Sequence, residues 1–468
     1  MKIAKAMPYE GIPKINSASV FGASTGKEFM YRIPVTGKRP IDIEAIGLKD
    51  GMKIKNGIIS GKIDEDCEFD IEISAKNELG EARKSVKFKI HYDNPLLTPL
   101  MGFTSWNAFG EKVTQELMEN TAETMCESGL ADYGYCYVNL DSGWQEDYGG
   151  KYNAVMPNGK FPDMKKMCEN IHSFGLKCGM YSTPLLHAWG SIYEEKTFSG
   201  CTKGEPNILY TNANSGIGTI RLEENNAKQW DEWGFDYLKY DWNPTDPTNA
   251  DYMKQALMKL KREFAFCVTV YASPFYGNYW KKYCNSWRNN ADSIDSWDNI
   301  KKRFYTVDVW DKYVVPGHFY DLDMLETGTL HTNGGKSGIT EDEAVFAYTL
   351  RAFFMSPIQL SCDLSKLTDF EYNLYCNDEI IAIHQDSLAK YPQLISENGE
   401  CKVYKRQLEN GDEAWAIFNA GDTEISDMLD FEKNVKIRDV WTKEDLSARN
   451  SLNYNIGPHC VMVLRISA

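Results

Sequence analysis

Positive charge is scarce in this 468-residue chain, where 51 Lys and Arg stand against 67 Asp and Glu for a formal net charge of −16. That balance argues against nucleic acid and against an anionic membrane surface as partner, because both recruit Lys/Arg-rich patches. Long apolar runs are missing as well. None approaches the roughly 20 residues that a membrane-spanning helix needs. The opening MKIAKAMPYEGIPKIN also lacks the apolar centre of a secretory signal. The expectation is a cytoplasmic protein without a membrane partner. Histidines number only seven, with no His/Asp cluster at metal-ligand spacing, and the twelve cysteines include no CxxC pair. The usual zinc and redox signatures are therefore absent, and cysteines such as Cys136 and Cys178, set in apolar patterns, read as reduced core thiols.

What is present is a chain too long for one compact core, which implies two to four domains. Aromatics are generous at 13%, with 12 Trp and 27 Tyr. An aromatic face packs well against the apolar C–H face of a pyranose, but a large core would use the same residues, and composition alone favours the core.

The first 95 residues read as all-β. CEFDIEISA (67–75) and SVKFKIHY alternate apolar and polar with period 2 around the turn signal KNELGE. This predicts a β domain over 1–95, which resembles the small immunoglobulin-like domains appended to bacterial carbohydrate enzymes, followed by the Pro-containing linker DNPLLTP. From residue 98 the rhythm becomes strand, loop, helix. Strand-like runs occur at 101–106, 135–141, 177–183, 235–241, 267–273, 285–292, 312–321 and 356–363. Amphipathic stretches such as TQELMENTAETMCESGL and PDMKKMCENIHSFGL separate most of them. Eight units in about 260 residues is the size of a (β/α)8 barrel, a TIM barrel, here placed at 96–388. An open doubly wound sheet is the alternative, but no Gly-rich phosphate fingerprint follows the first strand. Weak periodicity over 185–220, with Trp189, Tyr193 and Tyr210, suggests a long loop on the catalytic face. After residue 388 the pattern returns to β, with a hairpin over 402–418 around Asn410-Gly411 and CVMVLRI as a last strand. A C-terminal antiparallel β-sandwich over 389–468 is the simplest assignment.

A barrel of this kind carries its chemistry at the C-terminal ends of its strands. Three of the runs above end in Asp141, Asp241 and Asp292, and Asp321 and Asp323 follow the seventh. Two convergent carboxyl groups suit glycoside hydrolysis. They would equally suit Mg²⁺ or Ca²⁺, and a strand-end Asp can simply cap the next helix. The residues alone leave these readings open.

The segment LTPLMGFTSWNAFG, followed in order by YVNLDSGW, FPDMKKMCENIHSFGLKCGMYS, WGFDYLKYDWN, CNSWRNNADSIDSW, DLDML and AIHQDSL, resembles glycoside hydrolase family 27, the α-galactosidases and α-N-acetylgalactosaminidases. The resemblance covers roughly residues 97–390. It implies a retaining exo-α-glycosidase that acts on a glycoside or oligosaccharide without cofactor or metal, and a homo-oligomer is compatible with it. Asp241 takes the nucleophile position and Asp292 the acid/base position. Lys239, two residues before Asp241 and so on the same strand face, matches a lysine that binds sugar hydroxyls. Arg288 matches an arginine near the 2-substituent, and Asp141 an aspartate at the 4- and 6-hydroxyls. Tyr181 and Asp323 match further site positions.

The departures from that family lie in the shell that reads the sugar. Phe103 replaces a usual Trp, Ser142 replaces a second Asp, and Ala272 stands where α-galactosidases have a glutamate for the 2-hydroxyl. α-N-acetylgalactosaminidases also carry a small residue there, but they pair it with a second small one where this chain has Phe275. Family cysteines are replaced by Gly143 and within Trp242–Pro244, which fits a reducing compartment. Galactose, N-acetylgalactosamine, L-arabinopyranose or another glycosyl group therefore remain open, as do a non-catalytic carbohydrate-binding barrel and a metal-dependent hydrolase.

Overall fold

The computed structural model describes residues 2–185, 221–243 and 245–467. From residue 186 onward the loop expected over 185–220, with Trp189, Tyr193 and Tyr210, lies outside the described residues, as does Pro244.

Eight parallel strands form one curled sheet: Met101–Thr104, Tyr137–Leu140, Lys177–Ser182, Tyr237–Asp241, Ala265–Thr269, Ser286–Arg288, Phe319–Asp321 and Ile358–Leu360. Called one to eight in chain order, they pair in the sequence 7-6-5-4-3-2-1-8. Just beyond strand seven, Leu325 bridges in parallel to Leu360, and its N–H donates to the Gln359 carbonyl at 2.9 Å, which closes the barrel. The strands read as nearly unbroken buried runs, as helix-covered parallel strands should; every residue of Tyr137–Leu140 and Tyr237–Asp241 is buried. Local sequence sets the helices between them. Thr114 and Asp163 cap the helices Gln115–Glu127 and Met164–Ser173, Thr340 and Glu343 form a reciprocal capping box at Glu341–Phe353, and Gly234, at φ 101°, ends Glu223–Trp233.

All eight strands are shorter than their sequence reading, and four of the differences bear on the site. Strand one stops at Thr104, because Ser105–Phe109 is already helical. Strand five starts and ends earlier than expected. Strand six stops at Arg288, so Asp292 lies four residues past its end; the intervening Asn-Asn-Ala has little strand propensity. Strand seven is only three residues long, since Pro316 and Gly317 (φ 91°) turn the chain just before it and His318 N–H donates back to the Val315 carbonyl at 2.9 Å.

The barrel interior is layered. Tyr137, Tyr237, Ala265 and Cys267 fill one end together with Leu100. Polar side chains take over above them. Thr104 Oγ1 donates to Gln359 Oε1 at 2.7 Å, and Gln359 Nε2 donates to Asp321 Oδ2 at 3.2 Å. Gly179 makes room for this layer, since a Cβ there would collide with Asn139 Oδ1 and the Tyr237 ring.

At the N-terminus, a four-stranded sheet (Val20–Ser24, Gly80–His91, Cys67–Asn77, Asp42–Ile46) and a three-stranded sheet (Glu28–Arg32, Ile58–Lys62, Met52–Lys55) enclose Phe29, Ile59, Ile71, Val86 and Phe88. This unit meets the barrel where strands begin. Glu28 N–H donates to the Lys261 carbonyl at 3.0 Å, just before strand five, and Arg32 Nη1 to the Phe174 carbonyl at 2.8 Å, just before strand three. It therefore sits at the face opposite the strand-end carboxylates. The C-terminal β-sandwich contributes six antiparallel strands from Gln393 to Ser467. It packs on the helix Glu341–Phe353, where Trp441 Nε1 donates to Thr349 Oγ1 at 3.0 Å and Arg406 Nη1 to the Phe353 carbonyl at 3.2 Å. Among the described residues no helix is long and apolar enough to cross a membrane.

Candidate active site

Strand four places Lys239 and Asp241 on one face by its two-residue period. Both are buried, and both open onto a cavity of about 290 Å³ at the C-terminal end of the barrel. Asp241 ends the strand opposite Thr269, its register partner at the end of strand five. Its Oδ1 accepts from Thr269 Oγ1 at 2.8 Å and its Oδ2 from the Tyr181 hydroxyl at 3.1 Å. Burial raises the Asp241 pKa above the ordinary carboxylate value, while Lys239, Arg288 and the Thr269 bond oppose the rise. The carboxylate is thus fixed by two hydroxyl donors and backed by two cations.

Asp141, the first residue past strand two, accepts from Lys239 Nζ at 2.8 Å through Oδ2 and from the Ser142 N–H at 2.8 Å through Oδ1. Burial alone would favour neutral Lys239, but Asp141, aided by Asp323 and Asp241, holds its ammonium pKa above the ordinary value. Ser142 lines the cavity too, and its buried Oγ has no hydrogen-bond partner among the described residues.

Arg288 is 1% exposed and forks between two carboxylates. Nη2 donates to Asp292 Oδ1 at 2.7 Å, and Nη1 lies 2.6 Å from Asp323 Oδ2. Burial works against this guanidinium, and Asp323, Asp292 and Asp241 together more than compensate, raising its pKa. Asp323 is also buried, and burial would raise its pKa, yet the guanidinium of Arg288 and the charges of Lys239 and Arg303 hold its carboxyl below the usual range. Its backbone stands at φ 72°, a left-handed conformation that costs about 1–3 kcal/mol in a non-glycine residue and persists where surroundings enforce it. Arg303 and Arg351 supply that enforcement, donating to the Leu322 and Asp323 carbonyls at 3.0 and 2.9 Å. Asp292, by contrast, has a side chain 69% exposed and faces the cavity.

Seven of the eleven site residues expected from sequence cluster here directly: Asp141, Ser142, Tyr181, Lys239, Asp241 and Asp292 line the cavity, and Arg288 is bonded to one of them. Asp323 stands behind Arg288 rather than at the cavity wall. Three expectations need correction. Phe103 is fully buried and packs near Phe109 at a ring separation of 6.0 Å; Trp106, on the short helix after strand one, lines the cavity in its place. Ala272 is fully buried and Phe275 is 86% exposed, and neither lines the cavity. The loop after strand five presents Val270 and Tyr271 there instead, because strand five ends at Thr269 and the loop turns at Tyr271 (φ 59°). Among the described residues, Asn243, Ala291 and Met324 complete the lining. Thr269 could have been found from sequence, as the strand-five residue level with Asp241; Asn243 and Tyr271 depend on loop shape and carry no comparable signal.

Such a site can perform acid/base and nucleophilic chemistry on a neutral ligand. Lys239 bonds Asp141 and Arg288 bridges Asp292 and Asp323, and among the described residues no group of three or more His, Cys, Asp or Glu side chains is arranged to hold a metal ion.

The family model for α-galactosidase A matches residues 98–190 and 209–386, and that for the α-galactosidase C-terminal β-sandwich domain matches 398–466. The chain belongs to glycoside hydrolase family 27, the α-galactosidases. Among relatives in this family, an α-galactosidase of Cyamopsis tetragonoloba is 31% identical over 360 residues, covering 74% of this chain and 80% of its own. An α-galactosidase of Oryza sativa is 28% identical over 376 residues, covering 77% and 83%. A crystal structure from Bacteroides fragilis, provisionally assigned as an α-galactosidase/melibiase, superposes with a TM-score of 0.87 at 27% identity over 98% of both chains. That coverage includes the N-terminal β elements. A β-L-arabinopyranosidase of Geobacillus stearothermophilus, at 22% identity and a TM-score of 0.71 over 80% of this chain and 97% of its own, shares the fold. Family membership makes this chain a glycoside hydrolase of the α-galactosidase type.

Proposed function

We propose that the protein is a retaining exo-α-glycosidase that removes terminal α-galactosyl-type residues from a glycoside or oligosaccharide, with Asp241 as nucleophile and Asp292 as acid/base. One observation carries this reading: a buried carboxylate, anchored by Thr269 and Tyr181, shares a sugar-sized cavity with a second, solvent-accessible carboxyl group. In the first step an Asp241 oxygen bonds to the anomeric carbon while the bond to the leaving oxygen breaks, and Asp292 gives that oxygen its proton. In the second step Asp292 takes a proton from water, whose oxygen displaces Asp241 and releases the sugar with its configuration retained.

Lys239 and Asp141 would hold sugar hydroxyls as a preformed pair, and Arg288 would serve both Asp292 and the neighbouring hydroxyl. Trp106 offers the apolar wall. Ser142 gives the sugar a neutral hydroxyl where the family places a carboxylate, so we expect simple α-galactosides to bind less tightly than they do to typical relatives. L-Arabinopyranosides and α-N-acetylgalactosaminides are the rival substrates. A non-catalytic role is disfavoured, since a bare sugar-binding site has no use for an anchored carboxylate beside an exposed one.

We further propose boundaries at 95/96 and 388/389 and an immunoglobulin-like character for the first unit, supported by its own apolar core of facing four- and three-stranded sheets and by the separate cluster around Trp415, Leu429 and Ile437 at the other end. A cytoplasmic setting is supported by free cysteines, such as Cys136, whose thiol burial pushes up to about 11. The test of function is hydrolysis of a panel of nitrophenyl α- and β-glycosides, with the first-formed anomer followed by NMR. Turnover of an α-glycoside to the α-anomer is expected; an inverted first product would end the proposal.

A further inference from the structure

Asp292 fixes where the leaving group must stand. If it protonates the leaving oxygen, the rest of that group extends past its exposed side chain and out of the cavity. The loop after strand five borders that exit, because strands five and six pair through Cys267–Ser286 and Val268–Trp287, and Ala272 N–H donates to the Arg288 carbonyl at 2.9 Å. This loop exposes aromatic rings. Tyr271 lines the cavity together with Asp292 yet is 47% exposed, and Phe275 is 86% exposed; Tyr279, in the helix Gly277–Tyr283 that follows, is 48% exposed and stacks on Tyr283. Single exposed rings are ordinary on protein surfaces, but here three fall within nine residues, and the first of them stands on the cavity wall.

The loop backbone is held by hydrogen bonds. Ser273 Oγ accepts from Phe275 N–H at 3.3 Å, Trp280 Nε1 donates to the Ser273 carbonyl at 2.8 Å, and Thr245 Oγ1 donates to the Val270 carbonyl. The rings of Phe275 and Tyr276 are nearly perpendicular with centres 5.0 Å apart, a contact that leaves most of Phe275 exposed. Tyr271 keeps its position at a left-handed φ of 59°, which is strained for an aromatic residue and typical of binding surfaces. Residues 270–279 carry no charge, which suits a neutral ligand with an apolar face.

We propose that Tyr271 and Phe275 form a stacking subsite for the first sugar of the leaving group, so that the enzyme prefers a pyranosyl leaving group to a small one. The proposal rests on the glycosidase reading above, with the leaving group on the Asp292 side. Ring faces preset in this way bind the C–H face of a pyranose with little ordering cost.

The test compares melibiose, whose leaving group is a glucose, with α-galactosyl fluoride, which has no leaving sugar. In Phe275→Ala the ratio of kcat/KM on melibiose to that on the fluoride should fall about tenfold, the size of one good aromatic contact. Phe275→Tyr, which keeps the ring, should preserve the ratio. Because Phe275 is largely exposed, neither variant should disturb folding. An unchanged ratio in Phe275→Ala overturns the subsite, and so does an unchanged ratio accompanied by loss of a dimer in sedimentation, which would make the patch a contact between copies. If the unmodified enzyme releases no fluoride, the functional reading itself fails, and that outcome is distinct from the first two.

Discussion

The Asp141–Lys239 pair gives the sharpest quantitative test of how the site is built. Its atoms are 2.8 Å apart, and the side chains are 3% and 10% exposed. Little solvent screening reaches such a pair, so removing one partner leaves an uncompensated buried charge, at a cost of about 3–5 kcal/mol. Asp141→Asn should leave the ammonium with only the weaker support of Asp323 and Asp241, and Lys239→Met should strand the Asp141 carboxylate. The double variant removes both charges and should recover much of the loss, a coupling of about 2–3 kcal/mol for side chains in contact. At roughly 2–4 °C per kcal/mol for a domain of a few hundred residues, each single variant should lower the barrel's Tm by about 6–20 °C, and the double variant clearly less than the sum. Differential scanning calorimetry at neutral pH reads this directly. The pH dependence has a definite sign: Lys239 holds its proton more tightly folded than unfolded. Its contribution is therefore fully present below the free-lysine value of about 10.4 and disappears only as pH rises through the higher folded value. Additive losses in the double variant, or single losses below about 1 kcal/mol, would refute the claim that the pair is a buried, coupled unit.

Asp241→Asn should abolish turnover of every substrate, whereas Asp292→Ala should retain activity on a dinitrophenyl glycoside and gain rate with added azide; equal loss in both, without rescue, would contradict the assigned roles. Because Asp241 must be ionised to attack and burial raises its pKa, the acid limb of kcat/KM should lie above the ordinary aspartate value of about 3.9. Thr269→Val removes a bond that favours the charged form and should move that limb to still higher pH, so a shift to lower pH would count against the assignment. Ser142→Asp should raise kcat/KM on nitrophenyl α-galactoside by about ten- to a hundredfold, the worth of one charge-assisted hydrogen bond. Ala272→Glu, which buries a carboxylate outside the cavity, should instead destabilise the fold in a urea titration.

Legibility in the sequence followed physical locality. Lys239 and Asp241 were readable as neighbours because a strand's two-residue period fixes their direction without any tertiary knowledge, and they share the cavity as expected. The eight-unit barrel was readable because most of its strands are apolar runs separated by amphipathic helices. Asp292 was readable only through the WRNNAD motif: as a strand end it is misplaced, since strand six stops at Arg288. Loop geometry was the blind spot. Nothing in ASPFY reveals that Ala272 turns inward and Phe275 outward, because a short loop lacks periodicity and Tyr271 adopts a left-handed φ that its residue type disfavours. Phe103 misled for another reason. It stands level with a family wall residue, but the helix starting at Ser105 brings Trp106 to the cavity and leaves Phe103 in the core.

The central claim is that Asp241 forms a covalent bond with the sugar. The direct measurement is mass spectrometry of the enzyme after reaction with a 2-deoxy-2-fluoro α-glycosyl donor bearing an activated leaving group, which slows the second step more than the first. The account predicts a mass increase of one fluoroglycosyl unit, mapped by peptide digestion to an ester on Asp241; no adduct, or an adduct on Asp292 or Asp323, would contradict it.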